Sequence, residues 1–201
     1  MWTHGGYSGA GNVEGLLGSV KGGRAIVAGN AYPVFDQVRL VLETGPASVF
    51  AVNDTGMYLP NIDHWVTLHS DKMRHWRALR KIDSHLGQNF ATHAIIEDVS
   101  VDYAWINMEN HFALSGYFAT QIAYLMGFDE IILCGCPGDN SPRYFESSQG
   151  RADGYCYQDK GVVSQLELDM KRFPEFKKKV RSVSGYTREL FGGFINGGNS
   201  D

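Results

Sequence analysis

Hydrophobic and polar positions form two alternating patterns along most of the chain. The first is a short apolar run typical of a buried strand, found at residues 25–29, 48–53, 64–69, 92–97 and 130–135. The second has apolar residues at helical spacing and is found at 33–45, 71–82 and 116–126, with further helix predicted inside 161–178. A basic strand at 178–184 and a short helix at 186–192 complete the predicted order.

Residues that begin and end helices stand at the edges of these segments. Pro33 opens the first predicted helix, and Gly45 follows its end. Ser70 is expected to cap the second helix, and Gly127 to end the third. Strands that alternate with amphipathic helices favour a parallel sheet covered on both faces. The sequence therefore predicts a single α/β domain in three layers, with helices on both faces of one parallel sheet.

The two ends of the chain and one internal stretch differ from this pattern. Residues 1–23 are rich in glycine and predict a flexible arm with a short helix near 13–17. Residues 192–201 predict a loose tail. Residues 138–161 are polar and are interpreted as a lid over a ligand site, with a solvated insertion as the alternative. The folded domain is expected over 24–191.

Composition narrows the possible functions. The 201 residues have a formal net charge of −4 and a pI near 6.0, which argues against a dedicated nucleic-acid binder. No apolar run approaches the roughly 20 residues that span a bilayer, and no apolar signal core begins the sequence. Cys134, Cys136 and Cys156 favour free thiols in a reducing cytoplasm. We expect a cytoplasmic protein that binds a small molecule, as a monomer or as a homo-oligomer.

Small and polar residues follow most of the predicted strands. These strand ends are Gly29–Asn30, Asn53–Asp54–Thr55–Gly56, His69–Ser70 and the stretch from Gly135 to Asp139. In open parallel sheets ligands bind beyond the carboxyl ends of the strands, and a helix that starts there offers free N–H groups to an anion. The third predicted helix adds Ser115–Gly116 to the same edge. The sequence therefore predicts a pocket for an anionic ligand.

Several segments resemble a known family. Residues 25–37 (AIVAGNAYPVFDQ), 49–73, 114–139 (LSGYFATQIAYLMGFDEIILCGCPGD) and 180–192 are similar to bacterial sialyltransferases that use CMP-sialic acid. They also resemble a wider Rossmann-like group that includes archaeal pterin pyrophosphokinase-like proteins. The resemblance implies a Rossmann-like nucleotide-binding transferase, in first place a glycosyltransferase with a nucleotide-sugar donor. An ATP-dependent pyrophosphokinase-like enzyme and a non-enzymatic nucleotide binder are the alternatives.

The resemblance also implies which residues bind the nucleotide. The full set is Gly29, Asn30, Asn53, Ser115, Gly116, Gly135 and Asp139. Asn30 stands where the family contacts phosphate and sugar, and Asn53 stands where an asparagine lines the nucleotide site. Ser115 and Gly116 match a pair that opens the long helix and donates hydrogen bonds to the nucleotide. A CMP-type nucleotide or nucleotide sugar is the favoured ligand, and no metal is expected.

The acid–base residues depart from the family pattern. The sialyltransferases deprotonate the acceptor with a histidine in the lid, whereas this chain has no histidine after His111. Three other residues are therefore the candidate catalytic groups. They are His69 at the end of the third strand, Asp54 beside Asn53, and His111 shortly before the third helix. A loop histidine without catalytic function is the alternative for His69, and Asp54 could bind a ribose hydroxyl instead of acting as a base.

Two further groups of side chains receive other interpretations. Cys134 and Cys136 are expected on one side of the strand end as buried free thiols. Tyr103 and Trp105 are expected in a polar loop, where their rings could stack on a sugar or a base.

Overall fold

A parallel sheet lies at the centre of the protein. The computed structural model describes residues 13–96, 98–106, 114–139 and 174–195. Its strands are β1 (Arg24–Ala28), β2 (Ser48–Val52), β3 (His64–Thr67), β4 (Ala91–Ala94), β5 (Tyr103–Ala104), β6 (Glu130–Cys134) and β7 (Val180–Ser182). They lie in the order β5-β4-β3-β2-β1-β6-β7, and each pair of neighbours is parallel.

Helices connect these strands. The α-helices are α1 (Val34–Glu43), α2 (Ser70–Ile82), α3 (Ser115–Met126), α4 (Pro174–Lys179) and α5 (Gly185–Phe191). Two short 3₁₀ helices cover Val13–Leu16 and Asn53–Met57. Among the described helices none is long and apolar enough to cross a membrane.

The two faces of the sheet bury different side chains. Along β1, Ile26 packs in a cluster with Val34 of α1 and Met73 of α2, on what we call the α1 face. The neighbouring Val27 packs with Phe118 of α3 on the opposite side, the α3 face. Alternate residues of a strand point to opposite faces, so a strand covered on both faces is apolar throughout. Helices on both faces of a parallel sheet confirm the predicted three-layer, Rossmann-like α/β fold.

The strand order reverses at the middle of the sheet. From β1 the chain moves outward through β2, β3 and β4 to β5, and β6 then lies on the other side of β1. Because all strands are parallel, their carboxyl ends share one edge, which we call the carboxyl edge. Open α/β sheets bind ligands at this edge, where the strand order reverses.

The fourth strand is shorter than the sequence predicts, and a further strand follows it. β4 ends at Ala94 rather than at residue 97, and Ile96 is 61% exposed. The chain turns because Asp98 accepts hydrogen bonds from the N–H and hydroxyl of Ser100. It then returns as β5, and the Trp105 N–H donates to Ala94 O at 2.8 Å.

Parts of the predicted terminal segments lie within the described residues. In the predicted glycine-rich arm, the Val20 N–H donates to Met126 O at 2.8 Å, and Leu16 packs against the α3-face core. The predicted basic strand is confined to Val180–Ser182, because Lys178 and Lys179 belong to α4. Residues 1–12, the lid residues 140–161, the predicted helix at 161–173 and the tail 196–201 lie outside the described residues.

Candidate functional site

Glycine is required where the loops after β1 and β6 meet. The Gly29 N–H donates to Cys134 O at 2.8 Å, and the Ala31 N–H donates to Gly135 O at 3.1 Å. A Cβ on Gly29 would overlap Gly135 O and lie 2.5 Å from Cys136 Sγ. Only glycine permits this approach of two backbones. The predicted residues Gly29 and Gly135 are therefore neighbours at the carboxyl edge.

Cys136 lies between these loops and the start of α3. A Cβ on Gly116 would lie 3.1 Å from Cys136 Sγ, so Gly116 belongs to the same group of close contacts. Burial raises the pKa of the Cys136 thiol to about 12, although a hydrogen bond with Gly29 acts in the opposite direction. The thiol is therefore protonated at neutral pH and serves as packing.

The two cysteines lie on opposite faces of the sheet, so the prediction that they share one side is wrong. Cys134 packs in the α1-face core and Cys136 packs against the α3-face core. The intervening Gly135 has φ +61°, which interrupts the alternation of an extended strand. Burial raises the pKa of Cys134 as well.

The start of α3 presents hydrogen-bond donors at this edge. Ser115 is the first residue of the helix and is only 7% exposed. Within the described residues its hydroxyl makes no hydrogen bond, and no side chain caps the helix, whose N-cap residue is Leu114. The N–H groups of a first helical turn have no partner inside the helix and attract an anion. A buried hydroxyl and free N–H groups therefore occur together at this point.

The loops after β1 and β2 are joined by polar contacts. Asn30 Nδ2 donates to Asp54 Oδ1 at 3.3 Å, and Thr55 Oγ1 donates to Gly29 O at 2.9 Å. Among the described residues, Asn30 Oδ1 has no hydrogen-bond donor. The predicted residues Asn30 and Asp54 thus form one half-buried pair with a spare acceptor.

Asn53 has an unusual backbone conformation at the end of β2. Its φ is +53°, and its carbonyl accepts a hydrogen bond from Trp65 Nε1 at 2.6 Å. Its side-chain Oδ1 accepts from Thr67 Oγ1 at 2.8 Å. Asparagine tolerates the left-handed region better than most residues. The 3₁₀ helix that begins at Asn53 places Asp54 beside Asn30.

His69 lies further along the same edge. It is exposed and occupies the N-cap position of α2, and its backbone N–H donates to Thr67 Oγ1 at 2.9 Å. Ser70 is the first residue of the helix, so the prediction that Ser70 caps α2 is wrong. Thr67 links His69 to Asn53, whereas the third candidate base, His111, lies outside the described residues.

Asp139 belongs to a neighbouring part of the edge. A Cβ on Gly185, at the start of α5, would lie 2.6 Å from Asp139 Oδ2. An open depression of about 850 Å³ is lined here by Asp139, Gly185, Tyr186, Arg188, Glu189, Gly193 and Ile195. None of these except Asp139 was predicted as a site residue, and the described contacts of Asp139 do not include Asn30 or Asn53.

Gln37 is not among the predicted site residues, yet it connects α1 with two loops, the loop after β6 and the loop after β7. Its Oε1 accepts from the Gly135 N–H at 2.7 Å, and its Nε2 donates to Ser184 Oγ at 2.9 Å. Gln37 is buried within the apolar stripe of α1 that includes Val34, Val38 and Val41. A polar residue inside an apolar stripe is the sequence signal that could have identified it, because buried polar groups need partners.

The described residues contain no group of three or more His, Cys, Asp or Glu side chains suited to a metal ion. What the carboxyl edge offers is a set of neutral donors and acceptors, one carboxylate and the start of a long helix. Such groups suit an anion that also has hydroxyl or carbonyl groups.

The fold defines a class, the Rossmann-like α/β proteins, and one solved structure makes the likeness more specific. The chain is similar to the sialyltransferase CstII from Campylobacter jejuni, solved in complex with a substrate analogue, cytidine-5'-monophosphate. The likeness covers 89% of this chain and 88% of that chain, with a TM-score of 0.57 and 14% sequence identity. No protein-family model matches the sequence, and no curated protein matches it. The sialyltransferase-like fold is thus confirmed, whereas the pterin pyrophosphokinase-like grouping stays a prediction.

Proposed function

We propose that the protein is a nucleotide-binding transferase, and specifically a glycosyltransferase that uses a CMP-type nucleotide-sugar donor. The observation that supports this most is the shared fold, over most of both chains, with a sialyltransferase in complex with CMP. The carboxyl edge supports it independently, because Ser115, Asn30 and Asn53 have hydrogen-bonding groups without partners among the described residues.

In this proposal the donor lies across the carboxyl edge between β1 and β6. Ser115 and the N–H of Gly116 bind the phosphate, together with the turn at Gly29 and Asn30. Asn53 binds the nucleoside, and Gly135 forms the floor near the ribose. Neutral amides and a helix start stabilise a phosphate by directed N–H groups, without requiring a cluster of lysines.

The reaction would be the transfer of a sugar to an acceptor hydroxyl. The hydroxyl oxygen forms a bond to the anomeric carbon, and the bond from that carbon to the donor phosphate oxygen breaks. CMP leaves with the bonding electron pair, and a base takes the hydroxyl proton. Asp54 and His69 are the candidate bases at the described edge, and His111 is the third. Asp54 has the better support, since Asn30 holds its Oδ1 beside the phosphate turn.

Calorimetric titration with CMP, CDP, UDP, GDP and ATP tests the binding step, and CMP release from CMP-sialic acid tests turnover. We expect the tightest binding for a cytidine nucleotide and slow release of CMP by hydrolysis. ATP binding with ATP consumption would favour the pyrophosphokinase-like alternative instead. CMP binding without turnover of the sugar donor would favour the non-enzymatic binder, and no binding of any nucleotide would contradict all three.

Ser115→Ala locates the bound phosphate. Removing the hydroxyl should weaken CMP binding about tenfold, the usual effect of losing one hydrogen bond to a charged group. Ser19→Ala is the control. Ser19 is an exposed serine that lies far from Ser115 in the sequence, and its hydroxyl donates to Leu16 O. Equal CMP affinity in both variants would place the phosphate elsewhere.

A further inference from the structure

Asn53 is held in one conformation by two hydrogen bonds. Its backbone has φ +53°, a region that costs free energy for a residue with a side chain. Trp65, fully buried in β3, donates its indole N–H to the Asn53 carbonyl at 2.6 Å. Thr67, two residues further along β3, contacts the side-chain amide at 2.8 Å. Both contacts come from β3: the bond from Trp65 holds the backbone of Asn53, and the bond from Thr67 holds its side chain.

The hydrogen bonds of Thr67 determine which way the Asn53 amide faces. Thr67 is 0% exposed, and its Oγ1 already accepts from the His69 N–H at 2.9 Å. The remaining requirement is an acceptor for the hydroxyl proton, and among the described residues this acceptor is Asn53 Oδ1. A reversed amide would leave that buried proton without an acceptor, which is unfavourable for a buried polar group.

The Nδ2 group of Asn53 therefore faces away from Thr67. Among the described residues it has no hydrogen-bond acceptor, and Asn53 is half-buried at the carboxyl edge. We propose that Thr67 is a positioning residue that fixes Asn53 as a hydrogen-bond donor toward the bound nucleotide. This inference rests on the proposed function. It requires the ligand to present an acceptor there, such as a base carbonyl, a ring nitrogen or a ribose oxygen.

The fixed orientation of the Asn53 amide would make the site more selective. An amide that could rotate would hydrogen-bond equally well to a donor or to an acceptor on the ligand, and would discriminate little between the two. An amide fixed by Thr67 disfavours a ligand that places an N–H at this point, because two donors would face each other in a half-buried site. Thr67 thus acts on the ligand through Asn53 without touching it.

The first test replaces the Thr67 hydroxyl. Thr67→Val keeps the shape of the side chain and removes the hydrogen bond to Asn53, so CMP affinity measured by calorimetry should fall about tenfold. Thr67→Ser restores the hydroxyl and should recover affinity to within about twofold. Thr92→Val is the matched control: Thr92 is also 0% exposed and lies in the adjacent β4, but it bonds Asp102 and Ser100. It should lose stability and keep its CMP affinity.

The second test is a double-mutant cycle, which a purely structural effect would not pass. In an Asn53→Ala background, Thr67→Val should change CMP affinity by less than twofold, because its effect passes through the missing amide. Asn53→Asp leaves Thr67 intact and should weaken binding more than Asn53→Ala, since both variants lose the N–H but the carboxylate also places a negatively charged acceptor against the acceptor of the ligand. A tenfold loss from Thr67→Val in both backgrounds would overturn the proposal, as would unchanged affinity in Thr67→Val itself.

Failure of this inference can be distinguished from failure of the proposed function. If the wild-type chain binds no nucleotide, the proposed function fails and the inference fails with it. If the wild type binds CMP and Asn53→Ala weakens that binding, the site is upheld. The double-mutant cycle then decides whether Thr67 acts on the ligand through Asn53.

Discussion

Two groups of polar side chains are buried or half-buried in this protein, and they differ in how fully their hydrogen bonds are used. At the carboxyl edge, Asn30, Asn53 and Ser115 have donors or acceptors without partners among the described residues. In the interior, Arg80 and His93 have partners for every side-chain nitrogen. We call the first set the edge group and the second the interior group.

In the interior group, each side-chain nitrogen has a hydrogen-bond partner among the described residues. The Arg80 guanidinium, 1% exposed, uses five N–H donors on the carbonyls of Gly56, Leu59, Pro60 and Gly87. His93 Nδ1 accepts from Trp105 Nε1 at 3.2 Å, and its Nε2 lies 2.9 Å from His64 Nδ1. Because an indole N–H can only donate, neutral His93 is protonated on Nε2 and donates to His64.

The comparison separates stability from binding. A saturated buried group lowers the free energy of the folded chain, and its removal leaves partners unsatisfied. A group with free hydrogen-bonding capacity contributes less to folding and remains available for a ligand. Interior variants should therefore lose stability, and edge variants should lose nucleotide affinity. The predictions below test that separation.

The largest effect is expected for Arg80→Ala. The change leaves the carbonyls of the buried residues Gly56 and Leu59 without their donor, together with those of the exposed residues Pro60 and Gly87. It also removes packing on the ring of Phe90, whose centroid lies 5.3 Å from the guanidinium carbon. We expect the free energy of unfolding to fall by about 3–5 kcal/mol in urea titrations. CMP affinity, measured where the variant is still folded, should change less than in edge variants.

Arg39→Ala is the control for Arg80→Ala. Arg39 is an exposed arginine in α1 that pairs with Asp36 at 2.8 Å, and removing such a surface pair costs about 0.5 kcal/mol. A similar small loss for Arg80→Ala would show that the five hydrogen bonds contribute little. A loss of CMP affinity as large as the loss of stability would show that the two groups are not separable.

A smaller effect is expected from acidification. Burial lowers the pKa of His64 from 6.5 to about 4, against an opposing effect of Asp63, and burial lowers the pKa of His93 well below 6.5. Between pH 6.5 and about 4 the unfolded chain therefore binds protons that the folded chain does not. The free energy of unfolding should fall as pH is lowered, by up to about 1.4 kcal/mol per unit for each histidine.

Urea unfolding at pH 7, 6 and 5 measures this slope. Carboxylates also titrate at the acidic end, so the informative quantity is the difference between wild type and His64→Gln. The variant removes one of two buried titrating rings and should have a visibly shallower slope. Identical slopes for the two proteins would mean that His64 is accessible to protons in the folded state.

The three-layer fold could be predicted from the sequence because its apolar runs and amphipathic helices alternate over most of the chain. Apolar runs at β1, β2 and β6 alternate with amphipathic helices, and such runs predict a parallel sheet covered on both faces. β5 was missed because Tyr103–Ala104 is only two residues long and has no periodicity. Trp105 was expected near a ligand but is 2% exposed, since its indole N–H finds His93 inside the core. Such a pairing depends on tertiary contacts.

The residues of the candidate site that follow strand ends could be predicted from the sequence, whereas the residues that hold them in place could not. Gly29, Asn30 and Asn53 follow apolar runs directly, so the parallel-sheet rule identifies them. Thr67 is the last residue of β3, but it lies inside the longer strand predicted at 64–69, between Val66 and Leu68. Nothing in the sequence distinguishes its hydroxyl from that of any buried threonine. Its importance arises from the distance to Asn53, which only the folded chain defines.

The smallest effect on stability, with a clear effect on binding, is expected for Asn30→Ala. Asn30 is half-buried and makes one long hydrogen bond, 3.3 Å, to Asp54, so its removal should change the free energy of unfolding by about 0.5 kcal/mol or less. The second N–H of its Nδ2 can donate to the donor phosphate, and its free Oδ1 can accept from a sugar hydroxyl, so CMP affinity should weaken by about 1–2 kcal/mol. Both quantities are measured on one preparation, by calorimetry and urea unfolding. If Asn30→Ala instead unfolds the protein while CMP affinity stays intact, Asn30 belongs with the interior group, and free hydrogen-bonding capacity does not mark the ligand site.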